Sequence, residues 1–454
     1  MTGNNGGRPD LDDWIGKQIE PLPPPPGTFE LIRRRARRRK LRKLAVSAGA
    51  AVVVIAAAVT VPQVVNLQIH NGSGNPVAES SSETHTRTSQ APQPAGTGNG
   101  VEASGSPIVL PKGNPVPANF QPTSVTYVSE SIGFVIGQAG TPGHCATPFC
   151  TSVARTQDDG ETWTGLPAPL TGAPDGATGV GQIRFLEGLN GWAFGPELWA
   201  THDGGERWYQ LGIAGRRVLD VETVGRRAYA IEAKCTGSGT DFAAHCTSFT
   251  LYSTVASKDE WAPVGPATTN LTGKSAALVL AGPTGYLLGP DGQLYSGPVD
   301  GSAAWSSQGD TPCDPGTAQP DGNPSTALLA AASPSRLYLD CTTDDHMWAS
   351  PDGGSTWEQT GMAPPGMTAT SLAATSLDTL VLATTAGIEV KPASASTWRA
   401  ALLTGGTPAG GFVWVGMTTP ARGVALPANA GDGTVWISRG TGGFSWTPSP
   451  VQGQ

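Results

Sequence analysis

The sequence predicts an all-β fold, a seven-bladed β-propeller of four-stranded antiparallel blades, preceded by one transmembrane helix and a disordered tether. Three observations predict it. Seven tryptophans, Trp163, Trp208, Trp261, Trp305, Trp357, Trp398 and Trp446, recur 45, 53, 44, 52, 41 and 48 residues apart, and self-similarity at such a period marks a propeller or a solenoid. A short apolar run keeps the same rhythm upstream of each tryptophan: "GFVIG" (133–137), "GWAFG" (191–195), "RAYAIE" (227–232), "GYLLG" (285–289), "RLYLD" (336–340), "TLVLA" (379–383) and "GVALP" (423–427). Finally, 61 glycines, 40 prolines and only 14% charged residues favour many short strands joined by tight turns over long helices.

In chain order, residues 1–43 come first, with eleven Lys/Arg against five Asp/Glu, whereas the remainder holds 17 against 31. Such asymmetry places the two parts in different surroundings. Between them "LAVSAGAAVVVIAAAVTVPQVV" (44–65) carries no charge, and roughly 20 apolar residues suffice to cross the hydrocarbon layer. The run "RRRARRRKLRK" (33–43) just before it predicts a cytoplasmic N-terminus by the positive-inside bias and attraction to anionic lipid headgroups. A cleaved signal peptide is the competing reading, disfavoured because secretory leaders have short basic regions. Residues 66–106, rich in Ser, Thr, Gly, Pro and Asn without apolar periodicity, read as a tether. The expected location is therefore a cell membrane crossed once, with residues 107–454 outside the cytoplasm.

Within 107–454 each unit reads as three strands, a turn and a fourth strand. Examples of the first are "SVTYV" (124–128), "QIRFL" (182–186) and "SLAAT" (371–375), and the third strands are "VARTQ", "LWATH", "LYSTV", "LYSGP", "MWASP", "GIEVK" and "VWISR". Four antiparallel strands in about 45 residues make one blade. Closing seven blades into a ring removes the exposed sheet edges of an open array.

The turn before the fourth strand holds the most regular motif, Ser/Thr-x-Asp-x-Gly-x-x-Trp, at "TQDDGETW" (156–163), "THDGGERW" (201–208) and "SPDGGSTW" (350–357). Asp158, Asp203 and Asp352 are expected to accept backbone N–H groups two and three residues on. Gly160, Gly205 and Gly354 supply the positive φ such a turn needs. Trp163, Trp208 and Trp357 then open the fourth strand and fill space between blades. Three copies in one chain argue for a folding device, not for an active site. The motif resembles the Asp-box, or BNR repeat, of sialidase-like, sortilin-like and photosystem II assembly-factor propellers, and residues 183–208 look most like the assembly-factor version. At Trp261, Trp305, Trp398 and Trp446 the tryptophan stays while the aspartate or glycine spacing fails. The resemblance implies a structural role for the boxes, away from ligand sites. The layout of basic stretch, anchor, tether and repeat domain resembles actinobacterial membrane proteins.

All six cysteines, Cys145, Cys150, Cys235, Cys246, Cys313 and Cys341, follow the apolar segment, as expected for disulfides in an oxidising compartment. Six cysteines allow 15 pairings, and nearest-neighbour pairing is the expectation. In an up-and-down blade the 1–2 and 3–4 turns share one end, and the 2–3 turns and inter-blade connections share the other. The long 2–3 insertions "GHCATPFC" (143–150) and "KCTGSGTDFAAHC" (234–246), and the long connection "GDTPCDPGTAQPDGNPS" (309–325), all carry cysteine. They are expected opposite the boxes, where stapled loops either recognise a ligand at a reduced entropy loss or resist proteolysis.

Catalytic chemistry finds no support in the sequence. Retaining sialidases need an arginine cluster, a tyrosine nucleophile with its glutamate, and an acid; the 12 arginines beyond residue 43 include no such motif near the first blade, and no carboxylate pair stands out. His144 beside Cys145 and His245 beside Cys246 lack zinc-knuckle spacing, and the aspartates of "DPGTAQPDGN" and "ANAGDGT" lack a calcium-loop pattern. No cofactor is expected. The acidic exported part speaks against nucleic acid. What remains is a non-enzymatic, membrane-anchored scaffold whose stapled loops bind a protein, a peptide or a cell-envelope glycan. One alternative is a transmembrane sensor whose segment "DLDDWIGKQIEP" (10–21), with Trp14 and Ile15, docks a cytoplasmic partner; a sialidase-like hydrolase is another.

Overall fold

The structure, a computed structural model, describes residues 110–141, 144–145, 149–212, 215–236, 246–264, 276–289, 292–313, 327–419 and 421–452. The expected basic segment, membrane span and tether lie outside them, as do Trp14 and Ile15. No helix among the described residues is long and apolar enough to cross a membrane.

Seven antiparallel sheets follow one another along the chain. Blade 1 contains Phe120–Tyr127, Gly133–Thr141, Thr151–Thr156 and Thr164–Leu166; blade 2 contains Gln182–Phe185, Gly191–Phe194, Leu198–Thr201 and Tyr209–Leu211. Blade 3 contains Arg217–Val224, Arg227–Cys235, Cys246–Val255 and Ala262–Pro263; blade 4 contains Ala277–Ala281, Thr284–Leu288, Gln293–Pro298 and Ser306–Asp310. Blade 5 contains Ala327–Ser333, Arg336–Cys341, His346–Ser350 and Glu358–Met362; blade 6 contains Ala369–Ala374, Thr379–Thr384, Gly387–Pro392 and Arg399–Ala400. Blade 7 contains Phe412–Thr419, Arg422–Pro427, Thr434–Arg439 and Ser445–Pro450, with Leu402–Leu403 added in parallel to its outer edge. In six blades the fourth strand starts one residue after the tryptophan; only Trp446 lies within its strand.

Apolar residues on the two sides of each strand pack against the two neighbouring blades, so seven clusters form, one per interface. Each holds one repeat tryptophan packed on the preceding blade: Trp208 lies between blades 1 and 2, Trp261 between 2 and 3, Trp305 between 3 and 4, and Trp357 between 4 and 5. Trp398 and Trp446 continue the series, and Trp163 joins blade 7 to blade 1. No strand is exchanged across that last interface, so side chains close the ring. Trp163 Nε1 donates to Ser449 Oγ at 3.0 Å, and Ser449 Oγ donates to the Gly160 carbonyl at 2.5 Å. Asp159 of blade 1 pairs with Arg422 and Arg439 of blade 7, each at 2.7 Å.

The turn motif works through two side chains. In blade 1, Asp158 Oδ1 accepts the Thr162 N–H, four residues on, at 2.9 Å, while Oδ2 accepts the Thr162 hydroxyl at 2.5 Å. Thr156 Oγ1 donates to Asp158 Oδ1 and accepts the Gly160 N–H, both at 2.8 Å. Asp203 with Thr201, and Asp352 with Ser350, repeat the pattern toward Arg207 and Thr356. The aspartate thus reaches further than the expected two or three residues, because the hydroxyl takes the nearer N–H. Two successive residues adopt positive φ, Asp159–Gly160, Gly204–Gly205 and Gly353–Gly354. The second glycine also admits the preceding blade, since a Cβ on Gly354 would stand 2.2 Å from Leu294 Cδ2.

A backbone bond missed in the sequence ties the ends of every blade. The 3–4 turn donates an N–H to a carbonyl of the 1–2 turn at Asp159→Ser131, Gly204→Leu189, Ala256→Arg226, Val299→Pro283, Gly353→Ser335, Ala393→Asp378 and Gly440→Ala421, between 2.8 and 3.0 Å. These pairs put all seven 1–2 and 3–4 turns on one face.

Candidate functional site

The opposite face carries the cysteines. Cys145–Cys150, Cys235–Cys246 and Cys313–Cys341 are bonded, the nearest-neighbour set. Cys235 and Cys246 face each other across the second and third strands of blade 3. Cys145 sits on a short extra strand, His144–Cys145, paired with Gly140 and Thr141, and Cys150 directly precedes the third strand of blade 1. Cys313 follows the outer strand of blade 4 and Cys341 ends the second strand of blade 5, so this bond joins two blades. The middles of the three insertions, including His245, lie outside the described residues.

Beside Cys235 a cavity of about 520 Å³ opens between blades 2 and 3, lined among others by Glu197, Gln210, Arg216 and Arg217. Glu197 Oε2 accepts the Trp199 indole N–H at 3.0 Å and Oε1 accepts from Gln210 Nε2 at 3.1 Å. Arg216 donates to Thr250 Oγ1 at 2.8 Å and stacks 5.7 Å above the Tyr252 ring. Burial, opposed in part by Arg216, leaves the nearby Glu232 carboxyl pushed up to about 7. The wall therefore offers a guanidinium, an amide and a carboxylate held by neighbours, a set that binds polar groups without rearranging.

The motif residues stand elsewhere. Asp158, Gly160, Asp203, Gly205, Asp352 and Gly354 lie in turns of three separate blades on the far face, and none lines this cavity. Burial alone would raise Asp158, but the bonds from Thr162 and Thr156 outweigh it and hold the carboxyl below its ordinary value. Its hydrogen bonds are all spent within the turn. Among the described residues no group of three or more His, Cys, Asp or Glu side chains is placed to hold a metal ion. Glu197, Arg216 and Glu232 escaped the sequence reading because their spacing follows no motif; only Glu232 stands close in sequence to a cysteine, Cys235.

Fold and face together define a seven-bladed β-propeller with one repetitive face and one disulfide-stapled face. No family model matches the chain, and no curated protein matches it. Among solved structures it resembles YCF48 bound to D1 peptide, at 16% identity and a TM-score of 0.50, covering 73% of this chain and 96% of that one. YCF48 from Cyanidioschyzon merolae follows at 14% identity and a TM-score of 0.42, covering 60% of this chain and 85% of that one. At such identity the likeness to the first shows a shared fold.

Proposed function

We propose that this chain is a membrane-held binding propeller that recognises a peptide segment of a protein partner on its cysteine-bearing face and acts by binding, not by turnover. The observation that carries the reading is the placement of all three disulfides on one face of the ring, one of them, at Cys235, bordering the 520 Å³ cavity. Rigid blades position loops, and covalent staples lower the entropy those loops lose on engagement. A propeller of the same fold, YCF48, has a structure bound to D1 peptide, which supports a peptide or protein as the ligand class. Residues 44–65 supply the anchor and 66–106 the reach, with residues 1–43 on the cytoplasmic side.

Photo-crosslinking tests the face. A benzophenone amino acid is placed at Gln210, in the cavity wall, and separately at Ser131, in the opposite turn, both in the full chain in its native membrane. A discrete protein adduct from position 210 and none from 131 is expected. Equal adducts from both positions, or adducts from 131 alone, would overturn the reading.

A further inference from the structure

The seven first strands surround a central channel of about 780 Å³, a size typical of ligand pockets. Strand pairing fixes which residues share a level of it. Ser124, Gln182, Asp220, Ala277, Leu328, Ser371 and Trp414 each oppose the equivalent residue of their second strand and form one tier. Two residues along, Arg184, Glu222, Val279 and Gly416 belong to the next tier. Small, apolar and hydroxylic side chains make most of the wall, and Arg184 is the one basic residue among the described lining.

Arg184 is already engaged. Its Nη2 meets Glu222 Oε1 at 2.6 Å and its Nε donates to the Val221 carbonyl at 3.1 Å. One positive charge therefore faces two carboxyl groups, and Asp220 is left without a cation of its own. Folding does not account for a carboxyl group there. At the same tier, after the same break in strand register, blades 1 and 6 carry serine. Ser124 Oγ accepts the Ile183 N–H and Ser371 Oγ accepts the Val415 N–H, both at 3.2 Å, capping the first strand of the next blade. Asp220 caps Leu278 N–H in the same way. A hydroxyl suffices for the task, so a carboxylate there adds desolvation without need.

Across the ring, three blades one way and four the other, the same tier carries Trp414. Its indole lies over Gly416, where a Cβ would stand 2.5 Å from the ring, and it lines the channel. A surplus carboxylate on one wall and an aromatic face on the other match a cation.

We propose that the channel binds the ammonium or guanidinium of a basic side chain, with Asp220 and Glu222 supplying charge and Trp414 an aromatic face. The site is separate from the cysteine-bearing face and does not rest on the reading given for it. Burial, then the Glu222 charge, push Asp220 up to about 7, and a bound cation favours its ionised form.

Calorimetry on the full chain tests this with acetyl-Ala-Ala-Lys-Ala-Ala-amide, its arginine counterpart and its norleucine counterpart. The two cationic peptides are expected to bind and norleucine not to. Asp220→Ser, which keeps the cap as Ser124 and Ser371 do, should lower affinity at least tenfold without lowering the melting temperature, since a carboxyl raised by burial is removed. Glu222→Gln is a second charge deletion that leaves the Leu278 cap untouched, and it should lower affinity in the same direction. Binding of norleucine as tight as lysine, no binding by either cationic peptide, or full affinity in both variants would overturn the proposal. Loss of crosslinks at Gln210 would instead strike only at the peptide-binding face.

Discussion

Asp340 offers the sharpest test of how this ring is held together. In the second strand of each blade one position points into the interface with the following blade. Six blades fill it with Ile136, Phe194, Ile231, Leu288, Ala383 and Leu426, and all six are core residues. Blade 5 places Asp340 there, fully buried, with neither carboxylate oxygen hydrogen-bonded. Burial, with the charges of Asp345 and Asp344 adding, pushes its carboxyl from 3.8 up to about 7. Between those values the folded chain holds a proton that the unfolded chain has released, so stability falls as pH rises. The full loss above pH 7 is roughly 4 kcal/mol, of which about 3 kcal/mol falls between pH 5 and pH 8. Asp340→Leu removes this term and restores the residue class of the other blades. Urea unfolding of both proteins at pH 5, 6, 7 and 8 should show the variant's advantage growing by about 3 kcal/mol across the series. Asp220 and Glu232, which titrate in the same range, are common to both proteins and cancel in the difference. Parallel curves, or an advantage that shrinks with pH, would refute the reasoning.

Two further changes probe the joints between blades. Asp159→Asn keeps a residue tolerant of its φ of 65° but removes the charge facing Arg422 and Arg439; a loss of about 3 kcal/mol in chemical unfolding is expected for breaking a half-buried pair, with faster amide exchange along the facing edges of blades 1 and 7. Replacing Cys313 and Cys341 together by serine opens a closure with a sequence separation of 28 residues and should lower unfolding stability by about 3–4 kcal/mol, the wild-type chain in excess reductant approaching the same value.

The fold was legible because its determinants repeat. Trp163, Trp208 and their five counterparts fill the same place at seven interfaces, and a sequence period is the direct imprint of that geometry. The order of strands and the two faces of the ring followed from alternation alone. The seven turn-to-turn backbone bonds were invisible, since main-chain atoms carry no sequence signal. The hydroxyl of Thr156, Thr201 or Ser350 was visible as a pattern, yet its role in taking the nearer N–H emerged only from the turn geometry. Of the candidate site, the cysteines and the face they share could be read. Arg216 over Tyr252 and the held Glu197 could not, because those contacts join residues of different strands or blades with no common spacing.

Repetition and departure carry different information in such a chain. Where seven blades agree, the shared residue is explained by what every interface needs, and no ligand has to be invoked. Where one blade departs, the shared explanation fails for that blade alone. Asp220 stands where serine performs the same cap twice, and Asp340 stands where six apolar residues pack. Both substitutions place a carboxylate where burial penalises it. Their surroundings nevertheless separate them. Asp220 lines an open channel, with Arg184 beside it and Trp414 across it, so an incoming cation has a path to its charge. Asp340 has no exposed surface, and only a proton can relieve it. The first departure therefore points to recognition and the second to a pH-dependent weakness between blades 5 and 6. The Asp220→Ser titrations and the Asp340→Leu pH series separate these assignments, because the first lowers affinity for a cation without loss of stability and the second changes stability alone, through a site no ligand can reach.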